Sequence, residues 1–98
     1  MDIKKNLEDG ALTIAINGRL DTSTAPQLDE ELKTSIEGVE NLLIDLTDLE
    51  YISSAGLRVL LSAQKTMNKQ GTMEVTGVND IVMEIFEVTG FSDILTIK

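Results

Sequence analysis

The sequence predicts a small single-domain α/β protein: a small mixed β-sheet that opens with a β-hairpin and carries crossover helices packed on it. Three observations predict this. An Asp-Gly pair, Asp9-Gly10, separates two segments of alternating apolar residues. The apolar spacing then lengthens to a helical one in "TSTAPQLDEELKTSIEG", and does so again after Ser54. Between the helical stretches, "NLLIDL" and "TMEVTGV" read as strands. At 98 residues the chain is expected to form one domain, residues 1–98, around one core.

The elements follow in order. "DIKKNLE" sets Ile3, Lys5 and Leu7 on one face, and "ALTIAING" continues the alternation with Leu12, Ile14 and Ile16. Asp-Gly between them suits a type I′ turn, whose two central residues both need positive φ. Leu28, Leu32 and Ile36 recur every four residues, one apolar stripe with acids opposite. Thr24 with Gln27 reads as a capping box, Pro26 is tolerated in the first turn, and Gly38 suits the stop. This helix is expected to be a crossover. The run "NLLIDL" is typical of a strand covered on both faces, and its buried part ends near Leu46.

From Ser54 to about Lys69 the helical spacing returns with Leu57, Leu60, Leu61, Ala63 and Met67, and Gly71 ends it. "TMEVTGV" places Met73 and Val75 on one face of a short strand. Asn79 is a good N-cap for "DIVMEIFEVTG", in which Ile81, Ile85 and Val88 share a stripe. Gly90 is expected at C′, with Phe91 packing back on Phe86, and "SDILTIK" closes the chain as a strand or an extension. The order β-β-α-β-α-β-α-β implies mostly parallel pairing after the hairpin, with right-handed connections.

Composition narrows the function. With 8 Lys+Arg against 17 Asp+Glu the net charge is −9, so a phosphate backbone would repel the chain. Tyr51, Phe86 and Phe91 are the only aromatic residues, too few for a base-stacking platform. Nucleic acid is not an expected partner; a protein surface is. Apolar runs are only a few residues long, far below the roughly 18 that span a bilayer, and "MDIKKNLEDG" lacks the apolar core of a signal peptide. The absence of cysteine fits a cytoplasmic setting.

Catalysis finds little to work with. No histidine is present, so a Ser-His-Asp triad cannot form. "ISSAG" has Ile52 where a nucleophile elbow needs glycine, and no lysine stands three residues after either serine. Without Cys or His a zinc site is not expected, and no glycine-rich phosphate loop signals a nucleotide cofactor. The chain reads as a binding module rather than an enzyme.

Ser53 and Ser54 stand between a strand and a helix. One serine suffices as an N-cap, worth about 1 kcal/mol. If Ser53 caps, Ser54 is the first helical residue and points outward. A phosphate there would lie at the positive end of the helix dipole and add about −1.5 to −2 charges to that surface. Cap and switch both remain open on this reading. Gly56 costs roughly 1 kcal/mol of helix propensity against Ala, which suggests close packing on the first turn by the domain's own loop or by a partner. Arg58, one turn after Ser54, is placed to meet a phosphate, a partner's acid or solvent.

"GRLD" after the hairpin, "NLLIDLTDLEYISSAGLRVLL" and the closing "VTGFSDIL" together resemble the STAS domain, specifically the bacterial anti-sigma factor antagonists, over about residues 7–97. The resemblance implies a mixed sheet with helices on one side, and a partner-switching mechanism. The unphosphorylated antagonist binds an anti-sigma factor that is also a serine kinase of the GHKL type, and so frees the sigma factor. Phosphorylation of a serine at the start of the second helix ends the complex, and a PP2C-type phosphatase restores it. Carried onto this sequence, the phosphoacceptor is Ser54, and Asp21, Ser53, Gly56 and Arg58 belong to the partner-binding surface. No cofactor and no metal are implied. The sequence departs from the commonest pattern at Ser53, where an Asp often stands, and at Ala55, where Ser or Thr is frequent. Asp21 has a second reading, an Asx turn that only stabilises its loop. The resemblance also leaves room for a STAS subunit of a signalling scaffold or lipid-transport complex, in which Ser54 need not be phosphorylated.

Overall fold

The computed structural model describes all 98 residues. Strand β1 (Ile3–Glu8) turns into β2 (Ala11–Leu20), followed by α1 (Ala25–Ser35), β3 (Asn41–Ile52), α2 (Ser54–Gln70), β4 (Thr72–Thr76) and α3 (Asp80–Thr89). A 3-10 turn at Phe91–Asp93 follows. The sheet order is β1-β2-β3-β4; β1 pairs antiparallel with β2, and the remaining pairs are parallel. The expected mixed sheet is therefore present. Asp9 and Gly10 both have positive φ, as a type I′ turn requires.

One sheet face carries the core. Leu12, Ile14 and Ile16 of β2, Leu42, Ile44 and Leu46 of β3, and Met73 and Val75 of β4 are buried in a single cluster with Leu28, Leu32, Leu57, Leu60, Met67, Val82 and Phe86 of the helices. Fully burying each such side chain contributes about 1.5–3 kcal/mol. The opposite face, with Thr13, Ala15, Leu43, Asp45, Glu74 and Thr76, is only half-buried. The expectation that β3 is covered on both faces is thus corrected. Successive right-handed crossovers place α1 and α2 on the same side, and "NLLIDL" alternates between core and open face.

Strand β3 also runs past Leu46, to Ile52. Two register shifts, opposite Ala15/Asn17 and Gly18/Arg19, insert extra residues into β3, so its buried positions step from Leu46 to Leu49 to Ile52. Each insertion bends the strand and breaks the two-residue alternation that marks a strand in sequence. At the first, Asp45 Oδ1 accepts from the Thr47 amide at 3.0 Å and from the Thr47 hydroxyl at 2.6 Å. Both bonds favour the charged carboxylate, holding Asp45 below the usual range.

Two helix-end expectations and one helix-face expectation change. Thr24 occupies the N-cap of α1 without capping it through its side chain. Its hydroxyl donates instead to the Arg19 carbonyl at 2.8 Å, and no capping box forms. Helix α1 stops at Ser35, and Gly38, with φ +78°, serves the turn beyond. In α3 the stripe of Ile81, Ile85 and Val88 is not the core face: Ile81 is 60% and Val88 81% exposed, while Val82 and Phe86 are buried. A helix apolar on several sides can bury more than one of them, and the core here takes the aromatic side. Asn79 does cap α3, accepting from the Val82 amide at 2.8 Å, and left-handed Gly90 ends it. The closing segment adds a single bridge, Ile97 beside Val75, rather than a full strand.

Candidate functional site

The site is built where β2 and β3 leave the sheet side by side. Leu20 pairs with Ile52 in the parallel register, so Asp21 and Ser53 emerge from neighbouring strand ends. The Ser53 amide donates to the Leu20 carbonyl at 2.8 Å, and the Ser53 carbonyl accepts from the Leu57 amide at 2.9 Å. The first bond ties the start of α2 to the end of β2, and the second closes the first turn of the helix.

The two serines then differ. Ser53 sits at the N-cap with extended backbone, yet its hydroxyl makes no capping bond. Its Oγ is buried without any partner. Ser53 thus holds the N-cap position without the capping bond its hydroxyl could make. Ser54 begins the helix, is exposed, and its side chain is tied to nothing. A group arriving at Ser54 Oγ meets the positive end of a 17-residue helix.

Gly56 lies buried beneath this turn. A Cβ there would come within 2.7 Å of Leu20 Cγ and 2.8 Å of Ile52 Cγ1. The close neighbour is therefore the domain's own strand ends, and Gly56 lets the first turn of α2 settle on them. Arg58 is exposed and forms no ion pair. Leu57 and Leu60 belong to the core, and Leu61 is half-buried.

Asp21 organises its own loop. Oδ1 accepts from the Ser23 hydroxyl at 2.7 Å, from the Ser23 amide at 3.0 Å and from the Thr24 amide at 3.2 Å. These bonds, the Ser23 hydroxyl foremost, hold the carboxyl below its ordinary range against an opposing desolvation. The Asx-turn reading of Asp21 is present in full, and it leaves Oδ2 facing Arg19, whose Nε lies 3.8 Å away. The Arg19 guanidinium also stacks over the Tyr51 ring, 4.6 Å from its centroid. Sequence reasoning did not single out this pair. Arg19 and Tyr51 become neighbours through the β2–β3 register, displaced by two bulges that no local motif announces. The chain's two arginines, Arg19 and Arg58, therefore both border the site.

Chemically, the arrangement offers an exposed serine hydroxyl, a carboxylate fixed by its own turn with Arg19 beside it, and exposed Arg58 one helical turn beyond Ser54. No His, Cys, Asp or Glu side chains group as a metal site would require. No helix is long and apolar enough to cross a membrane.

Comparison with known proteins places this geometry. The STAS domain family matches residues 2–98. The anti-sigma-B factor antagonist of Listeria monocytogenes is 36% identical over 97 residues, covering 96% of this chain and 84% of that protein. The anti-sigma-B factor antagonist of Bacillus subtilis is 34% identical over 99 residues, covering 100% of this chain and 89% of that protein. Among solved structures, the Bacillus cell fate determinant SpoIIAA in its phosphorylated form superposes with a TM-score of 0.77 at 15% identity, covering 99% of this chain and 91% of that one. Its unphosphorylated form gives 0.78 at 15% identity, covering 99% and 87%. With a family match along nearly its whole length and relatives above the level at which a common fold and descent are secure, the chain belongs to the STAS domain family, among the anti-sigma factor antagonists.

Proposed function

We propose that the protein is an anti-sigma factor antagonist that works in the cytoplasm by partner switching, with Ser54 as its control residue. The observation that carries this reading is the contrast between the two serines. Ser54 Oγ is exposed and unbonded on a helix start held by backbone, whereas Ser53 Oγ is buried. The names of the relatives and the two forms of SpoIIAA support the same reading.

In this reading the unmodified rim, with exposed Ser54 and Arg58 and half-buried Asp21 around it, docks on an anti-sigma factor that is a GHKL-type serine kinase, and the sigma factor is released. Ser53 and Gly56 act from beneath by fixing where Ser54 stands. Phosphorylation ends the complex. Ser54 Oγ attacks the γ-phosphorus of ATP, the bond to the β,γ-bridging oxygen breaks, ADP leaves, and the hydroxyl proton passes to a base on the kinase. The phosphate is tolerated by the domain because it sits at the helix N-terminus, but it puts about −1.5 to −2 charges into a contact shaped for a neutral hydroxyl. A PP2C-type phosphatase adds water across the phosphoserine ester and restores the hydroxyl. The domain itself supplies an acceptor and a surface, with no turnover of its own.

The test is phosphosite mapping after incubation with the kinase and Mg·ATP. Fragment masses should place one phosphoryl group on Ser54, and Ser54→Ala should remain unmodified. A phosphoryl group on Ser53, or none on the wild type, would refute the assignment.

A further inference from the structure

The outer face of α3 is unaccounted for by the Ser54 site. Six of the ten residues of this helix are apolar, yet only Val82 and Phe86 are buried. Ile81 and Val88, 60% and 81% exposed, lie on one face with half-buried Ile85 between them, and together with Glu84 and Thr89 these line a shallow open depression. Ile94, just beyond the helix, is also exposed. A helix apolar on nearly all sides is expected to be covered on all sides, and a contiguous exposed apolar face marks an interaction site.

Charge selects what covers it. From Gly71 to Ile97 the chain contains no Lys or Arg; Glu84 lines the depression itself, and helical spacing puts Asp80 and Glu87 on the same side of the apolar face as Glu84. A second copy would set the same acids against them, adding to the repulsion between chains of net charge −9. An anionic lipid surface is repelled for the same reason. We propose that the outer face of α3 docks a protein segment presenting apolar side chains flanked by lysine or arginine, independently of the Ser54 switch. Ile81, Ile85 and Val88 supply the apolar contact, and Glu84, with Asp80 and Glu87 on the same side, sets the polarity of the partner.

The experiment is an NMR titration of the ¹⁵N-labelled full chain with a synthetic helical peptide bearing leucines on one face and lysines beside them. Amide shifts should cluster on residues 80–89 and follow a saturating curve. The paired substitution Ile81→Asp and Val88→Asp should weaken binding about tenfold or more. A milder pair, Ile81→Ser and Val88→Thr, serves if the first variant does not keep its melting temperature. A peptide with glutamates in place of the lysines should not bind, and Ser54→Asp should leave the affinity unchanged. Shifts scattered over the acidic surface, equal binding by the variants, or binding to phosphatidylglycerol vesicles would overturn the proposal. So would α3 shifts on raising the protein concentration alone, which would make a second copy the occupant.

Discussion

Ser53 and Ser54 are chemically identical neighbours, and only their surroundings separate them. Because Ser53 Oγ is buried without a partner, its removal costs no hydrogen bond and relieves a desolvated hydroxyl. Ser53→Ala is expected to be neutral or to stabilise by up to about 1 kcal/mol, measured by urea unfolding. Ser54→Asp, at an exposed position on a helix N-terminus, is expected to shift stability by no more than about 0.5 kcal/mol. Asp21 adds a pH signature. Its carboxyl is held below the ordinary value by Ser23 and Thr24, so the unfolded state binds protons more readily as pH falls. Its contribution is present above the unfolded value of 3.8 and is lost as pH falls through the lower folded one. Asp21→Asn is therefore expected to flatten the acid limb of the stability curve, and NMR titration of the carboxyl carbon reads the shift itself. Asp45, lowered by Thr47, contributes with the same sign. The placement of Ser54 at an exposed helix start and the Asx turn of Asp21 were legible in the sequence because cap and turn chemistry are local. The burial of Ser53 Oγ and the stacking of Arg19 on Tyr51 were not, since both depend on how strand ends pack.

The helices and strands set these residues in place, and two of their joints can be tested. Gly56 lets α2 lie against Leu20 and Ile52. Gly56→Ala gains roughly 1 kcal/mol of helix propensity but forces side chains apart at a cost of about 1–3 kcal/mol, so a net loss is expected. The displaced first turn should also slow phosphorylation of Ser54 in the presence of excess kinase. Asn79 caps α3 and its Nδ2 donates to the Leu49 carbonyl at 2.8 Å, tying that helix to the bulged part of β3. Asn79→Ala is expected to cost about 1–2 kcal/mol, and thermal melting should show a drop of about 4–8 °C for each kcal/mol lost. The alternation of strand and helix, the hairpin turn and the Asn79 cap could all be read from spacing, because each rests on residues near in sequence. The far end of β3 could not, because its two bulges break the alternation at Thr47 and Asp48 and again at Glu50 and Tyr51. Nor could the phase of α3, where Ile81 and Phe86 compete for one core and packing chooses Phe86.

Taken whole, the molecule is an acidic domain with one filled sheet face and a rim of loops at the carboxyl ends of β2 and β3. A net charge of −9 makes its encounters sensitive to salt, and binding to a cationic kinase surface is expected to weaken as ionic strength rises. In the proposed switch, a phosphate on Ser54 would act on top of that field, at one exposed atom. One calorimetric comparison decides whether this is how the protein works: titration of the anti-sigma kinase with unmodified protein and with the same protein stoichiometrically phosphorylated at Ser54. The account predicts that phosphorylation lowers the affinity about a hundredfold or more while the melting temperature stays the same, a loss in line with a desolvated charge mismatch at the heart of an interface. Equal affinity of the two forms would contradict it.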